Sequence, residues 1–204
     1  MKLFFSHTSP YARKVMATAI EAGLNDQIEI VTAAVSPVNR NAEIVAHNPS
    51  GKLPTLLTDD GQALFDSRVI CEYLAAQSNN TTLFPAAGNA RWTALRRQAL
   101  ADALLDAALL ARYETASRPE NLRWNDWLTG QLDKVRSSVV AIEADADTLG
   151  DEANIGTLAI ACALGYLDLR YPELEWRKQA PRAATWYESF SQRPSLKDTA
   201  PPAA

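Results

Sequence analysis

The stretch Asn48-Pro49-Ser50-Gly51-Lys52-Leu53-Pro54-Thr55-Leu56-Leu57, followed shortly by Phe65-Asp66-Ser67, decides the fold of this chain. Pro54 stands directly before a short apolar strand, and because a proline cannot donate a hydrogen bond within a sheet, it belongs at a strand start or in a turn. An X-Pro bond is also the peptide bond that adopts the cis form at modest cost. A cis Leu53-Pro54 bond would turn the N–H and C=O of Leu53 outward, where an extended peptide can pair with them.

Asp66 and Ser67 open the next helical pattern, which runs from Arg68 to Ala76. The first N–H groups of a helix have no intrahelical partner, and the helix dipole favours negative charge beside them. A helix that starts here can therefore hold a carboxylate. Together with the outward backbone at Leu53, this arrangement predicts a clamp for a small peptide.

The chain upstream of this stretch begins with a strand and a capped helix. Residues 2–5 form a short apolar strand, and Ser9-Pro10 opens a helix, because serine is favoured at the N-cap and proline at the first helical position. A second strand is predicted from Ile28 to Val31, and a hairpin at Asp59-Asp60-Gly61. With the strand and helix described above, this is the order of a thioredoxin-like domain.

The chain resembles the glutathione S-transferase superfamily, in particular its bacterial, serine-type members. Three segments carry the resemblance: Thr8-Ser9-Pro10-Tyr11-Ala12-Arg13-Lys14-Val15, the stretch from Asn48 to Leu57, and Phe65-Asp66-Ser67. The resemblance extends over nearly the whole chain, because the remainder is helical in the manner of the second domain of that family. It implies an α/β, thioredoxin-like N-terminal domain followed by an all-α helical-bundle domain.

A linker separates the two predicted domains. Residues 78–89 are polar, contain a proline and are rich in turn-forming residues, which is the composition of a connecting segment. The sequence therefore predicts a glutathione-binding domain at residues 1–77 and a helical domain at residues 90–204. The helical patterns of the second domain run from Arg91 to Ala116, from Glu120 to Ala144, from Asn154 to Leu169 and near Arg182 to Gln192.

The third of these patterns is apolar nearly all round, which predicts a central buried helix. The resembled family usually places a serine or threonine cap ahead of this helix and an aspartate three residues later, and the two side chains form a capping box. Here Asn154 can still cap the helix, but Thr157 stands in place of the acid. The departure predicts a weaker helix start and does not affect the ligand site.

The resemblance also implies where glutathione binds and how its thiol is activated. Ser9 would donate a hydrogen bond to the sulfur and act in catalysis, because a hydroxyl and a helix N-terminus both stabilise a thiolate. Leu53 would contribute its main chain, and Lys52 would meet the glycyl carboxylate. Asp66 would bind the γ-glutamyl ammonium, and Ser67 the neighbouring carboxylate.

Other residues near Ser9 could contact the sulfur instead, and a Ser-Pro pair taken alone indicates only a helix cap. Ser6 and Thr8 are further hydroxyls in the same loop, and Tyr11 is a weaker partner for the sulfur. Arg13 can assist the thiolate electrostatically or form a structural ion pair. No cysteine occurs near this helix start, which excludes a mechanism through a protein thiol there.

The activity implied by the resemblance is that of a glutathione S-transferase acting in detoxification, whose thiolate attacks a small hydrophobic electrophile. Two alternatives use the same fold: a glutathione-dependent disulfide or hydroperoxide reductase, and a non-catalytic binding protein. Tyr113, Trp124 and Tyr166 are candidates for the electrophile pocket, but aromatic residues at helical spacing more often belong to the core. The resemblance further implies a homodimer, to which Cys71 and Tyr73 would contribute surplus apolar surface on the third helix.

Composition and charge limit the partners and the compartment. The chain of 204 residues carries 24 acidic and 20 basic side chains, a net charge of −4 that argues against nucleic acid or an anionic membrane as the main partner. Cys71 and Cys162 lie within helical patterns and are predicted to be buried thiols. His7 and His47 have no companions at ligand spacing, so no metal is expected. The chain shows neither a signal peptide nor a membrane-spanning apolar run, which predicts a cytoplasmic protein.

Overall fold

A four-stranded mixed sheet with helices on both faces forms the first part of the molecule. The computed structural model describes residues 1–202, and Ala203 and Ala204, the end of the predicted helical domain, lie outside the described residues. The elements of this first part are β1 (Lys2–Phe5), α1 (Pro10–Glu21), β2 (Glu29–Thr32), α2 (Ala42–His47), β3 (Thr55–Leu57), β4 (Ala63–Leu64) and α3 (Ser67–Ala76).

The strands of the sheet follow the order β2-β1-β3-β4, with β1 parallel to β2 and antiparallel to β3. Successive side chains of a strand point to opposite faces. Leu3 and Phe5 of β1 therefore pack into the cluster that α1 and α3 complete, whereas Phe4 packs against Ile44 of α2 on the other face. This is the thioredoxin-like domain that the sequence predicts.

The ends of α1 follow from its flanking residues. The Ser9 hydroxyl accepts a hydrogen bond from the Ala12 N–H at 3.2 Å, and Pro10 occupies the first helical position. After the helix, Gly23 adopts φ +70°, a conformation that glycine adopts without steric cost.

Two elements of this part differ from the sequence-based prediction. β2 begins and ends one residue later than predicted, at Glu29 and Thr32. α2 was not predicted, because this helix of six residues has a single fully buried apolar side chain, Ile44, and thus no repeating pattern.

The second part of the molecule is helical, as predicted. Its helices are α4 (Gly88–Ala116), α5 (Asn125–Asp145), α6 (Ile155–Arg170), α7 (Trp176–Gln179), α8 (Pro181–Phe190) and α9 (Pro194–Lys197). The apolar helix α6 is buried from Ile155 to Leu167 and forms the centre of the larger hydrophobic core with α4 and α5. α7 and α9 were not predicted, since a helix of four residues is too short to show a period.

The start of α6 corrects the expectation of a weak cap. The Asn154 side chain accepts hydrogen bonds from the N–H groups of Gly156 and Thr157, at 3.0 and 3.2 Å. In return the Thr157 hydroxyl accepts from the Asn154 N–H at 2.9 Å, so that the capping box is complete. A threonine therefore performs here the role that an acidic side chain has in the usual box.

Two glycines of α6 allow neighbouring elements to approach it closely. A Cβ atom on Gly156 would lie 2.7 Å from the backbone oxygen of Ala94 in α4. A Cβ atom on Gly165 would lie 2.6 Å from the hydroxyl of Tyr187 and would also collide with the guanidinium of Arg13. Both positions are thus closed to any larger side chain without movement of the packed neighbours.

Residues near the end of the described chain form hydrogen bonds with side chains of α1. The carboxylate of Glu21 accepts hydrogen bonds from the Arg193 guanidinium at 2.9 and 3.1 Å and from the Ser195 hydroxyl at 2.6 Å. The guanidinium of Arg13 donates to the Leu196 carbonyl at 3.0 Å. α9 therefore bridges the two parts of the molecule. Within residues 1–202, none of the helices has both the length and the apolar composition needed to cross a bilayer.

Candidate functional site

The loop before β3 presents a backbone edge that no described residue uses. The Leu53-Pro54 peptide bond is cis, as the sequence predicts. The Leu53 side chain packs inward with Phe4 and Ile44, while its N–H and C=O make no hydrogen bond with residues 1–202. This backbone edge can therefore pair with an extended ligand.

Asn48 holds that loop in place, a role that the sequence analysis did not assign. Its buried side-chain amide donates to the Lys52 carbonyl at 3.2 Å and to the Thr55 hydroxyl at 3.0 Å. Its carbonyl oxygen accepts from the N–H and the hydroxyl of Ser50. Lys52 itself is exposed and forms no ion pair with any residue from 1 to 202. The one sequence signal for this role is an asparagine directly before Pro49 in a loop that must turn sharply.

The start of α3 lies next along the chain. The Asp66 carboxylate caps the helix by accepting from the Arg68 N–H at 2.9 Å, and the Phe65-Asp66 peptide bond is cis. Ser67 is only 2% exposed. Its hydroxyl makes no hydrogen bond to another residue of the described chain, and its oxygen is not itself fully buried. The helix start thus combines unpaired N–H groups with an unpaired hydroxyl.

The Ser9 hydroxyl caps α1 and can still donate a hydrogen bond. Its oxygen accepts from the Ala12 N–H, and a hydroxyl can accept and donate at the same time. The cap and the proposed contact to a sulfur are therefore compatible roles. Ser6 and Thr8 face each other with their hydroxyl oxygens 3.4 Å apart.

Tyr11 points away from this loop toward the helical part of the molecule. Its hydroxyl donates to the Asp106 carboxylate of α4 at 2.5 Å. Burial, followed by that hydrogen bond, raises the pKa of Tyr11 far above its usual range. The Tyr11 phenol is therefore neutral, and its proton is already donated to Asp106. This arrangement does not favour Tyr11 as the hydrogen-bond donor to a thiolate.

A small cavity lies beside Ser9, between α1 and α6. Arg13 lines it and is 5% exposed. The ion pair considered for Arg13 is not found among the described residues: one nitrogen donates to Leu196, and Nε has no partner there. The other lining residues are His7, Thr8, Ser9, Pro10, Cys162, Tyr166, Leu169 and Pro201.

The three aromatic candidates for an electrophile pocket lie in different environments. Tyr166 is buried and lines the cavity, and burial raises its pKa. Tyr113 is half-buried, and burial raises its pKa as well. Trp124 is exposed and stacks on Trp127, with 6.5 Å between the ring centroids. Of the three, only Tyr166 lines the cavity next to Ser9.

The two thiols do not supply an alternative reactive group. Cys71 and Cys162 are free and buried, and burial raises the pKa of the Cys71 thiol to about 12. Thiols of raised pKa are poor nucleophiles. Cys71 is buried against Thr18. The prediction that Cys71 adds apolar surface to α3 is therefore wrong. Within the part of the chain that the structure describes, no group of three potential ligands is placed to hold a metal ion.

An ion-pair network, which the sequence analysis did not predict, connects the two parts of the molecule beneath the site. The fully buried Lys14 of α1 donates to Asp102 Oδ1 of α4 at 2.6 Å. Arg68, next to Ser67, donates to the other oxygen of Asp102 at 2.8 Å. The single carboxylate therefore neutralises a buried ammonium and ties the start of α3 to the helical part.

A thioredoxin-like domain with an open backbone edge at a cis-proline, joined to a helical domain, defines a class of glutathione-binding proteins. Family models agree: residues 8–77 match the N-terminal domain of glutathione S-transferase, and residues 125–189 match its C-terminal domain. The chain belongs to the glutathione S-transferase superfamily. It is 33% identical to a protein of Escherichia coli K12 named "uncharacterized GST-like protein YibF", with 100% of both chains covered.

Solved structures show the same relationship with bound ligands. One is a glutathione transferase family member from Pseudomonas fluorescens Pf-5 with bound glutathione, 44% identical, with a TM-score of 0.97 and 99% of both chains covered. Another, also a family member from that strain and 44% identical, has bound S-(propanoic acid)-glutathione, a TM-score of 0.91 and 100% of both chains covered. A third, from Methylobacillus flagellatus, has bound glutathione at 37% identity, a TM-score of 0.87 and 98% of both chains covered.

Proposed function

We propose that this protein is a glutathione transferase that binds glutathione along the Leu53 backbone edge and transfers it to a small electrophile. The observation that carries the proposal is the pair of unused groups at Leu53, its N–H and C=O, which match the backbone of the cysteinyl residue of glutathione. Relatives of known structure with bound glutathione support the same ligand here.

The charged ends of glutathione have matching groups on either side of this edge. We assign the γ-glutamyl carboxylate to the start of α3, where Ser67 offers a hydroxyl and the helix offers free N–H groups. Asp66 meets the neighbouring ammonium, and the exposed ammonium of Lys52 meets the glycyl carboxylate. The ligand then spans the sheet edge in an extended conformation.

With the peptide in that position, the sulfur lies toward the start of α1. Ser9 donates to the sulfur while its oxygen continues to cap the helix. The thiolate is stabilised by this hydrogen bond and by the positive end of the helix dipole. The activated sulfur then attacks an electrophile that enters beside Tyr166.

The Ser67→Ala variant tests the binding mode. We expect the affinity for glutathione to fall by about 1–3 kcal/mol, the range for losing a hydrogen bond to a charged group. Isothermal titration calorimetry of the two proteins measures it, and unchanged thermal unfolding is the control. An unaltered affinity would reassign Ser67 to a structural role. No glutathione binding by the parent protein would reject the proposed function.

Two alternatives to a transferase, a reductase and a non-catalytic binding protein, would use the same glutathione site. They differ from a transferase in the product that is formed. A disulfide or hydroperoxide reductase would release glutathione disulfide, whereas a transferase forms a thioether. A conjugate of glutathione is the ligand of one relative, which supports thioether chemistry. Product analysis by mass spectrometry separates the two reactions, and the absence of both products with intact glutathione binding would favour a binding protein.

We further propose a homodimer that forms across an exposed apolar patch on α3 and α4. The patch consists of Val69, which is 48% exposed, and Trp92, which is 66% exposed, with Phe65 beside them. An ion pair between Arg91 and Glu72 at 3.0 Å places these two helix surfaces side by side. Sedimentation should give twice the chain mass of 22.3 kDa for the parent protein and less for Trp92→Glu. A monomeric parent at micromolar concentration would contradict this proposal.

The remaining assignments follow from the proposed activity. We propose a role in detoxification on the basis of the proposed activity, and a place in the cytoplasm, with which the two free buried thiols agree. We propose the division into residues 1–77, a linker and a helical domain, and limited proteolysis of the linker tests it. The predicted linker at 78–89 and helical domain from residue 90 shift by two residues, because α4 begins at Gly88.

A further inference from the structure

Activation of the glutathione thiol yields a proton that the groups described so far do not accept. Ser9 donates a hydrogen bond to the sulfur, and for that contact it must keep its own proton. Arg13 lines the same cavity, but a guanidinium is always protonated. The site therefore lacks an assigned acceptor for the thiol proton.

His7 lines the cavity together with Ser9. The Ser9 N–H donates to the Ser6 carbonyl at 3.0 Å, which closes a tight turn with His7 and Thr8 as its two central residues. This turn leads directly into the cap of α1. The local backbone thus brings an imidazole and the sulfur-binding hydroxyl to the same cavity.

The His7 ring is held on one side and free on the other. It packs edge-on against the buried ring of Phe5 in β1, with 5.1 Å between the centroids and an interplanar angle of 84°. The residue is otherwise exposed, and its ring nitrogens make no hydrogen bond with residues 1–202. A ring nitrogen of the neutral imidazole can therefore accept a proton from a ligand in the cavity.

The other titratable or charged side chains that line the cavity are Arg13 of α1 and Cys162 and Tyr166 of α6. Burial raises the pKa of the Cys162 thiol and of the Tyr166 phenol, so that both hold their protons at neutral pH. No carboxylate of residues 1–202 lines the cavity. Histidine is the side chain that ordinarily changes charge between pH 5 and 8. Among the lining residues, His7 is thus the one suited to act as a base near neutral pH.

We infer that His7 is the general base that removes the thiol proton of bound glutathione, while Ser9 donates to the sulfur. The inference rests on the proposed function and adds a second catalytic residue to it. The S–H bond breaks, and the proton passes to a ring nitrogen of His7. The sulfur keeps the electron pair, which forms the C–S bond as the leaving group departs with the pair of the bond that breaks. The exposed imidazolium then gives its proton to water.

The first test measures thiolate and proton together when glutathione binds. Slightly above neutral pH, the parent protein should form thiolate, seen by its ultraviolet absorbance, and release few protons to the buffer, because an imidazolium beside a thiolate stabilises it. His7→Gln should form thiolate only at higher pH and release one proton for each. Calorimetry in buffers of different ionisation enthalpy counts the protons. This measurement requires no electrophile.

The second test compares the two histidines of the chain. His47 also packs on a phenylalanine of β1, stacking on Phe4 with 5.6 Å between the centroids, but it does not line the cavity. With chlorodinitrobenzene as electrophile, kcat/KM at neutral pH should fall about 100-fold in His7→Gln, within the range for general-base catalysis. His47→Gln should keep the parent rate. His7→Phe retains a ring against Phe5 and should be as slow as His7→Gln.

The outcomes separate this inference from the proposed function. Release of a full proton per thiolate by both the parent and His7→Gln would overturn the inference, as would glutathione bound by the parent without thiolate. Parent activity in His7→Phe with loss in His7→Gln would show that the ring acts through packing, and would also overturn it. Each of these results leaves glutathione binding intact. A parent protein that binds no glutathione would overturn the proposed function as well.

Discussion

Ser9→Ala is expected to slow the transferase reaction at neutral pH by about 100-fold, the loss that follows removal of one hydrogen-bond donor to a developing anion. Affinity for glutathione should remain nearly unchanged, because the backbone edge and the carboxylate contacts supply most of the ground-state binding. The hydroxyl acts on the ionised sulfur alone, so its removal raises the pKa of the bound thiol. The measurement is kcat and KM against pH with a reactive test electrophile.

The pH dependence of the reaction rate tests this prediction. Because the bound thiol has a higher pKa without Ser9, the variant should recover part of its rate as the pH rises and thiolate forms unaided. Ser9→Thr keeps the hydroxyl and the cap and should retain most activity. Ser9→Gly removes the hydroxyl while preserving the helix start to within a few tenths of a kcal/mol, and it should be as slow as Ser9→Ala. Full activity of Ser9→Ala, with loss in Ser6→Ala or Tyr11→Phe, would move the role to another residue of the loop.

Asp102→Asn is expected to destabilise the protein by about 3–5 kcal/mol, because removal of one member of a buried ion pair leaves the other charge uncompensated. The charge in question is the Lys14 ammonium, whose one hydrogen bond within the described residues is to Asp102. Urea unfolding followed by circular dichroism gives the change in free energy of unfolding.

A double replacement separates the cost of an unpaired charge from the value of the pair. Lys14→Met with Asp102→Leu removes both charges, and such apolar replacements of buried pairs are often neutral or stabilising. The double variant should therefore be more stable than Asp102→Asn. Arg68→Gln is the control for the second ion pair and should cost less than about 1 kcal/mol, since the Arg68 side chain is half-exposed. Equal losses in Asp102→Asn and in the double variant would show that the unpaired Lys14 charge is not the cause of the loss.

The fold was predictable because its signals are local. Ser9-Pro10 and Leu53-Pro54 each indicate a backbone conformation within two or three residues, and the structure has the conformation that each of them predicts. The apolar run of α6 likewise predicts its central position from composition alone. Short helices such as α2 and α9 have too few residues to carry a period.

The parts of the site that were not predicted depend on contacts between distant residues. Asp102 meets Lys14 and Arg68 across 88 and 34 positions, and nothing in the local sequence marks a helical aspartate as buried. The surroundings of Arg13 were likewise not predictable from local sequence. Only the structure shows that no carboxylate pairs with its guanidinium and that its Nε has no partner among the described residues. Asn48 was predictable in part. The sequence shows that it lies in a turning loop, but not which groups its side chain hydrogen-bonds.

The close packing at Gly165 restricts how the acceptor preference of this protein can diverge during evolution. Any side chain there would displace Arg13 and Tyr187, so that mutations of Gly165 should cost stability before they alter substrate range. Leu169 and Pro201 also line the cavity but are only half-buried, so that changes there should cost less stability. Descendants selected for new acceptors should therefore differ at these two positions and retain the glycine, and a mutational library scored separately for folding and for turnover would reveal that division.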